Sequence, residues 1–106
     1  MPKYLWHGTY VGDGVKGLIE DGGSGRVKAV KKATESMGGT LETFYFSFGK
    51  DDFYVIVDLP DNVTAAALAL TVAATGRVSL DTTVLLTPAE IDEAVKRHPD
   101  YRAPGS

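Results

Sequence analysis

Residues 44–59 read Phe44-Tyr45-Phe46-Ser47-Phe48, then Gly49-Lys50-Asp51-Asp52, then Phe53-Tyr54-Val55-Ile56-Val57-Asp58-Leu59. Two aromatic and β-branched runs flank a glycine–aspartate tetrad, which is the pattern of a β-hairpin closed by a tight turn. In the second run Phe53, Val55, Val57 and Leu59 share one parity and are all apolar, so they face a covered side of the sheet. Asp52, Tyr54, Ile56 and Asp58 then face the other side. In the first run Phe44, Phe46 and Phe48 belong with the covered side, leaving Thr43, Tyr45 and Ser47 opposite.

Outward from the hairpin the periodicity changes. On the N-terminal side, Tyr4 to Tyr10 is a short aromatic-rich run that predicts a first strand, with Leu5, His7 and Thr9 on the open side. Asp13 caps a brief helical turn to Ile19, stopped by Gly22-Gly23. A clearer helix starts near Ser24, with Val27, Val30, Thr34 and Met37 at helical spacing, and ends at Gly38-Gly39. On the C-terminal side, Asp61 is placed as N-cap of an alanine- and leucine-rich helix from Val63 to about Thr75, and Gly76 stops it. Val78 to Leu86 is a fourth strand. Thr87-Pro88-Ala89-Glu90 is a capping box with proline at the first helical position, so a short helix runs to about Arg97.

The order β-α-β-β-α-β plus a terminal helix predicts an α+β, ferredoxin-like antiparallel sheet with two helices on one face. At 106 residues the chain is one domain, taken as 1–98, with 99–106 a flexible tail. Its composition, 43% hydrophobic and 24% charged, is that of an ordinary globular protein and excludes disordered and fibrous classes. Without cysteine there is neither a disulfide framework nor a thiolate nucleophile or zinc ligand. The start of the first strand without a basic and apolar leader argues against secretion, and Val63 to Ala74 is too short to span a bilayer; a cytoplasmic protein with no membrane partner is the expectation.

Both helices cover one sheet face, so the other needs a cover of its own or must be polar. It mixes His7, Thr9, Tyr45, Ser47, Tyr54 and Asp58 with the apolar Ile56. That mixture suits a sheet-to-sheet interface enclosing a small polar pocket. The expected assembly is a homodimer resembling a dimeric α/β barrel, a trimer also being compatible with the topology. Within the pocket His7 is the candidate general base, Tyr54 a hydrogen-bond donor and Asp58 the orienting carboxylate, with Thr9, Tyr45, Ser47 and Ile56 lining a small-molecule ligand site. A hydrogen-bonded interface histidine is the plainer account of His7.

The hairpin and its glycine–acid turn resemble the signature region of the GYD-domain family. The resemblance extends through Gly14-Val15-Lys16-Gly17, Gly38-Gly39, Leu59-Pro60-Asp61-Asn62, the alanine-rich helix and Thr82-Thr83-Val84-Leu85-Leu86-Thr87-Pro88. Its specificity lies in the order of these short motifs. The family pattern is G-x-Y-D; Gly49 and Asp52 match it, whereas Asp51 stands in place of the tyrosine, so no role of that hydroxyl carries over. The resemblance implies a small protein of ferredoxin-like topology with no established activity.

The remaining motifs have ordinary explanations. Gly49, Asp51 and Asp52 form a turn motif; paired carboxylates invite a hard cation, but no calcium-loop spacing accompanies them, and no metal site is expected. Two histidines, His7 and His98, are too few for a zinc site within one chain. Gly22-Gly23-Ser24-Gly25 before Arg26 and Lys28 looks like an anion cradle but lacks the ending of a phosphate loop, and a connector explains it. Arg26, Lys28, Lys31 and Lys32 alternate with apolar residues as on a solvated helix face, and the net charge of −3 makes a nucleic-acid partner unfavourable. The strand aromatics sit where base-stacking residues occur in RNA-recognition domains, but the basic signature is missing and core packing accounts for them. No cofactor is expected. Two functional classes lead, a self-associating binding or assembly module, or a small cofactor-free oxygenase or isomerase, which requires His7, Tyr54 and Asp58 to converge; a nucleic-acid or protein partner contacted through the Arg26 to Lys32 helix is the third.

Overall fold

The alternation of strand and helix periods is realised in full. A computed structural model describes all 106 residues. In chain order it contains β1 (Lys3–Tyr10), α1 (Gly14–Ser36), β2 (Thr40–Phe46), β3 (Phe53–Asp58), α2 (Asn62–Ala74), β4 (Val78–Leu85) and α3 (Pro88–Ala94). The strands make one sheet in the order β2-β3-β1-β4 with every neighbouring pair antiparallel. This α+β architecture is compatible with the ferredoxin-like arrangement. No helix is long and apolar enough to cross a membrane.

Residues of one parity in the two inner strands make the core. Tyr4, Trp6 and Tyr10 from β1 and Phe53, Val55 and Val57 from β3 are buried together with Leu59, Ala65 and Leu68, and Leu18, Val30 and Ala33 of α1 pack on them. The helices therefore lie over the face to which the all-apolar parity of β3 points. Leu5, His7 and Thr9 occupy the opposite face of β1, in register with Ile56 and Tyr54 of β3.

Several local features differ from the sequence expectation. The two helices anticipated before β2 are one element, Gly14–Ser36, broken only at Gly22, whose φ of 70° and ψ of 169° are not helical. Glycine supplies that conformation without a Cβ clash, so it bends the path and lets helix resume at once. Thr34 is fully buried, its hydroxyl donating to the Val30 carbonyl at 2.8 Å, whereas Met37 lies at the frayed end and is exposed. β2 stops at Phe46, and Phe48, expected on the covered side, is wholly exposed in the turn. A bulge between Leu41 and Thr43 displaces Glu42 from the pairing register.

Two of the three expected caps form; Asp13 stands at the N-cap position of α1, but in an αR conformation that leaves its side chain without a capping hydrogen bond. The Asp61 carboxylate accepts from the Thr64 amide at 2.8 Å at the start of α2. At the start of α3, Thr87 and Glu90 bond reciprocally, Oγ1 accepting from the Glu90 amide at 3.1 Å and Oε1 from the Thr87 amide at 2.9 Å. α3 ends at Ala94, three residues short of the expected Arg97, and none of its residues is buried.

Candidate functional site

Cross-strand pairing lays the helix-free face out in rows. Tyr45, Tyr54, His7 and Asp81 form one row across all four strands, and Thr43, Ile56, Leu5 and Thr83 form the next. Lys3 pairs with Asp58 and Leu85 in the row beyond. The face is thus polar and aromatic at the end near the hairpin turn, apolar in its middle and ionic at the far end.

The hairpin turn completes the polar end. The Ser47 hydroxyl donates to the Asp51 carbonyl, and the Ser47 amide donates to the Asp52 carbonyl at 2.8 Å. Asp52 ties the turn to the sheet: its amide donates to the Gly8 carbonyl at 2.6 Å, and its carboxylate accepts from the Tyr10 amide at 2.9 Å. Held this way, Asp51 overhangs β1, with Oδ2 3.1 Å from His7 Nδ1 and 3.4 Å from the Tyr54 hydroxyl. An ionised carboxylate only accepts, so the pairing puts a proton on Nδ1 and, in the neutral ring, leaves Nε2 as an acceptor. The His7 and Tyr54 rings lie nearly parallel at 16°, centroids 6.2 Å apart. His7 and Asp51 are mostly shielded, while Tyr54 and Tyr45 stand open.

Asp58 does not join this group. Its carboxylate binds Lys3 Nζ at 2.9 Å, and Lys3 also reaches Glu42 at 2.8 Å. The register pairs Asp58 with Lys3, four positions from His7 along β1, a separation of ~13 Å at the usual strand rise. The bulge at Glu42 brings a second carboxylate onto the same ammonium, and Glu42 first, then Asp58, hold Lys3 above its ordinary pKa. Asp58 is an ion-pair residue at the far end of the face, and the carboxylate on His7 is Asp51.

Of the other expected ligand-site residues, Thr9, Tyr45 and Ile56 share the face with His7, and Ser47 is engaged in holding the turn. In the turn motif Gly49 is exposed and the two aspartates divide the work, Asp52 binding backbone and Asp51 binding side chains. No group of three or more histidine, aspartate or glutamate side chains is placed to hold a metal ion. At the glycine-rich bend of α1, Arg26 Nη1 lies 3.5 Å from Asp21, which supplies the guanidinium with a counter-charge within the chain.

Between sheet and helices lies a cavity of about 60 Å³, lined mainly by apolar groups such as Val30, Phe44 and Leu68 and reached by Trp6 and Arg26. It is well below the ~150 Å³ of an apolar cavity that holds benzene, so it is a packing gap of the core. The indole N–H of Trp6 and Nε of Arg26 are buried there without a protein partner. Burial pushes the neighbouring Tyr10 phenol up, with Arg26 partly offsetting it.

Residues 4–95 match the GYD domain family model. The chain belongs to the GYD-domain family. The match takes in the hairpin, its turn and every strand of the sheet. No curated protein and no solved structure matches the chain. In this GYD domain the residue of the hairpin turn that contacts His7 is Asp51.

Asp51 was hidden from sequence reasoning because a glycine–aspartate tetrad is adequately explained as a turn. The signal lay in topology: β3 pairs with β1, and Phe53 with Gly8, so the residues just before Phe53 must lie beside the middle of β1.

Proposed function

We propose that this GYD domain is a self-associating module that packs its helix-free sheet face against another copy and encloses the His7–Asp51–Tyr54 group as a pocket for a small hydrogen-bonding molecule. One observation carries the reading. The uncovered face sets an apolar pair, Leu5 and Ile56, between two threonines and directly beside a polar group organised by side-chain contacts. A solvated sheet face has no use for the first, and a plain core interface has none for the second. A homodimer is the simplest closed arrangement, and a trimer also satisfies the argument. In the closed assembly His7 Nε2 offers an acceptor and the Tyr45 hydroxyl a donor, while the Tyr54 hydroxyl, donating to Asp51, offers its lone pairs, which favours a ligand carrying both kinds of group.

A cofactor-free oxygenase or isomerase is not favoured. That mechanism assigned Asp58 to orient His7, and Asp58 is bound to Lys3.

Native mass spectrometry of protein purified from its own host tests the proposal. The expected result is a dimer or trimer carrying a defined extra mass. Ile56→Lys, which puts a charge in the middle of the face, is expected to leave a folded monomer without that mass. A strictly monomeric wild-type protein at micromolar concentration overturns the reading.

A further inference from the structure

α3 is well started and poorly placed. Its capping box satisfies the first turn from within, yet it packs on no other element beyond marginal contact. Ile91 and Val95, four residues apart and so on one face, are 46% and 66% exposed, and Leu86 just before the helix is exposed as well. α3 follows β4 after a two-residue link and makes no substantial contact with α2. With α3 and the exposed residues 95–106 beyond it, the molecule is long, 55 × 33 × 22 Å, with a radius of gyration of 16.8 Å, against ~13 Å for a compact chain of about this length.

The same chain has an apolar groove with no helix in it. Between α2 and β4 an open groove of about 440 Å³ is lined by Ala66, Ala69, Leu70 and Val84 over Tyr4. Leu70 is 70% exposed and Val84 52%. The alanines let another helix approach closely, and α2 carries no charged residue to oppose it.

We infer that α3 of one copy docks in the α2–β4 groove of a second copy, so that two chains exchange their C-terminal arms. A helix whose apolar edge, Ile91 and Val95, lacks a seat and an apolar seat lacking a helix occur on one chain, and α3 does not fill that seat within its own chain. Two copies satisfy both needs by a reciprocal contact that closes after one pairing. The inference rests on the self-association reading in requiring a second copy, and it identifies the segments that join the copies outside the sheet face.

The absence of native cysteine makes the test direct. The full chain carrying Leu70→Cys and Ile91→Cys is oxidised and run without reductant. The expected product is a covalent dimer, also formed when the two single variants are mixed. An internal disulfide in a monomer places the arm in its own groove and overturns the inference, and so do thiols that stay free. Separately, Ile91→Asp with Val95→Asp is expected to weaken association at least tenfold while the far-ultraviolet dichroism of the sheet persists; unchanged association overturns the inference. Native mass spectrometry of the unmodified chain separates the two readings. A dimer without the 70–91 cross-link defeats arm exchange and leaves the sheet-face reading standing, whereas a monomer defeats both.

Discussion

The inner and outer strands of this sheet present helix-side residues of similar character, but the inner ones are buried whereas the outer ones, such as Phe44, Val78 and Leu80, are covered only in part. Tyr4, Trp6, Val55 and Val57 in β1 and β3 are almost entirely buried. Phe46 in β2 and Val84 in β4 lie on the same side, opposite Phe53 and Tyr4, and remain open to solvent. Hydropathy alone therefore does not mark the core; position under the helices does. α2 is built largely of alanine, and at the β4 flank its Leu70 stands exposed beside Val84. The flank formed by α2, β4 and α3 is left with apolar surface facing water and an outer strand edge unpaired. Natural proteins usually cover or blunt such an edge, which is why the flank reads as unfinished in one chain and the centre does not.

Truncating one leucine from each region breaks the comparison most sharply. Leu59→Ala, at a fully buried position, is expected to cost ~2–5 kcal/mol in urea unfolding, since a cavity is added to the lost burial. Leu70→Ala should fall within about 0.5 kcal/mol in dilute protein, as surface changes do. At high protein concentration its cost should grow, because an assembly that binds only the folded chain adds stability by mass action. Equal costs for the two variants at all concentrations would mean the centre and the flank are not distinct.

A smaller effect probes how tightly the centre joins the flank. A Cβ on Gly8 would sit 1.9 Å from the Ser79 carbonyl oxygen of β4, which cannot move without shifting that strand. Gly8→Ala is expected to destabilise by ~1–3 kcal/mol, the range of overpacked cores, and to loosen β4 before β3. Hydrogen exchange should show the amides of β4 losing protection first; uniform loss across the sheet would argue against a local wedge.

How far these features could be read from sequence depends on what each one needs. The inner strands were legible because alternation alone places Phe53, Val55, Val57 and Leu59, and the caps because Asp61 and Thr87-Pro88-Ala89-Glu90 act within four residues. The Gly22 bend was read as a stop, since glycine signals a break locally but cannot say whether helix resumes beyond it. The bulge at Glu42 has no local signature, and it decides that Lys3 meets two carboxylates. The direction of Asp51 depends on Ser47 gripping the turn and on Asp52 bonding to β1. A contact set by three separate chain segments is invisible to a reading that moves along one. Tyr54 and His7 came from parity, and their partner could come only from the folded turn.

Acid distinguishes the packed helix from the unpacked one, with the smallest effect. The Thr64 amide, and then its hydroxyl, hold the Asp61 carboxyl below 3.8, and the Thr87 amide holds the Glu90 carboxyl below 4.5. A depressed folded pKa contributes stability above the unfolded value and loses it as pH falls through the folded one. The Glu90 contribution therefore fades below about pH 4.5 and that of Asp61 below about 3.8. α2 buries Ala65 and Leu68 in the core, so loss of its cap should appear in global unfolding. α3 buries nothing within the chain, so loss of its capping box should melt that helix alone. Asp61→Asn keeps a capping oxygen that does not titrate and is expected to flatten the fall of the urea midpoint below about pH 3.8 relative to wild type. Glu90→Gln should leave that midpoint unchanged in dilute protein and alter only helical dichroism. If Glu90→Gln shifts the global midpoint as much as Asp61→Asn does, α3 is already coupled to the core, and the division between a finished centre and an unfinished flank fails.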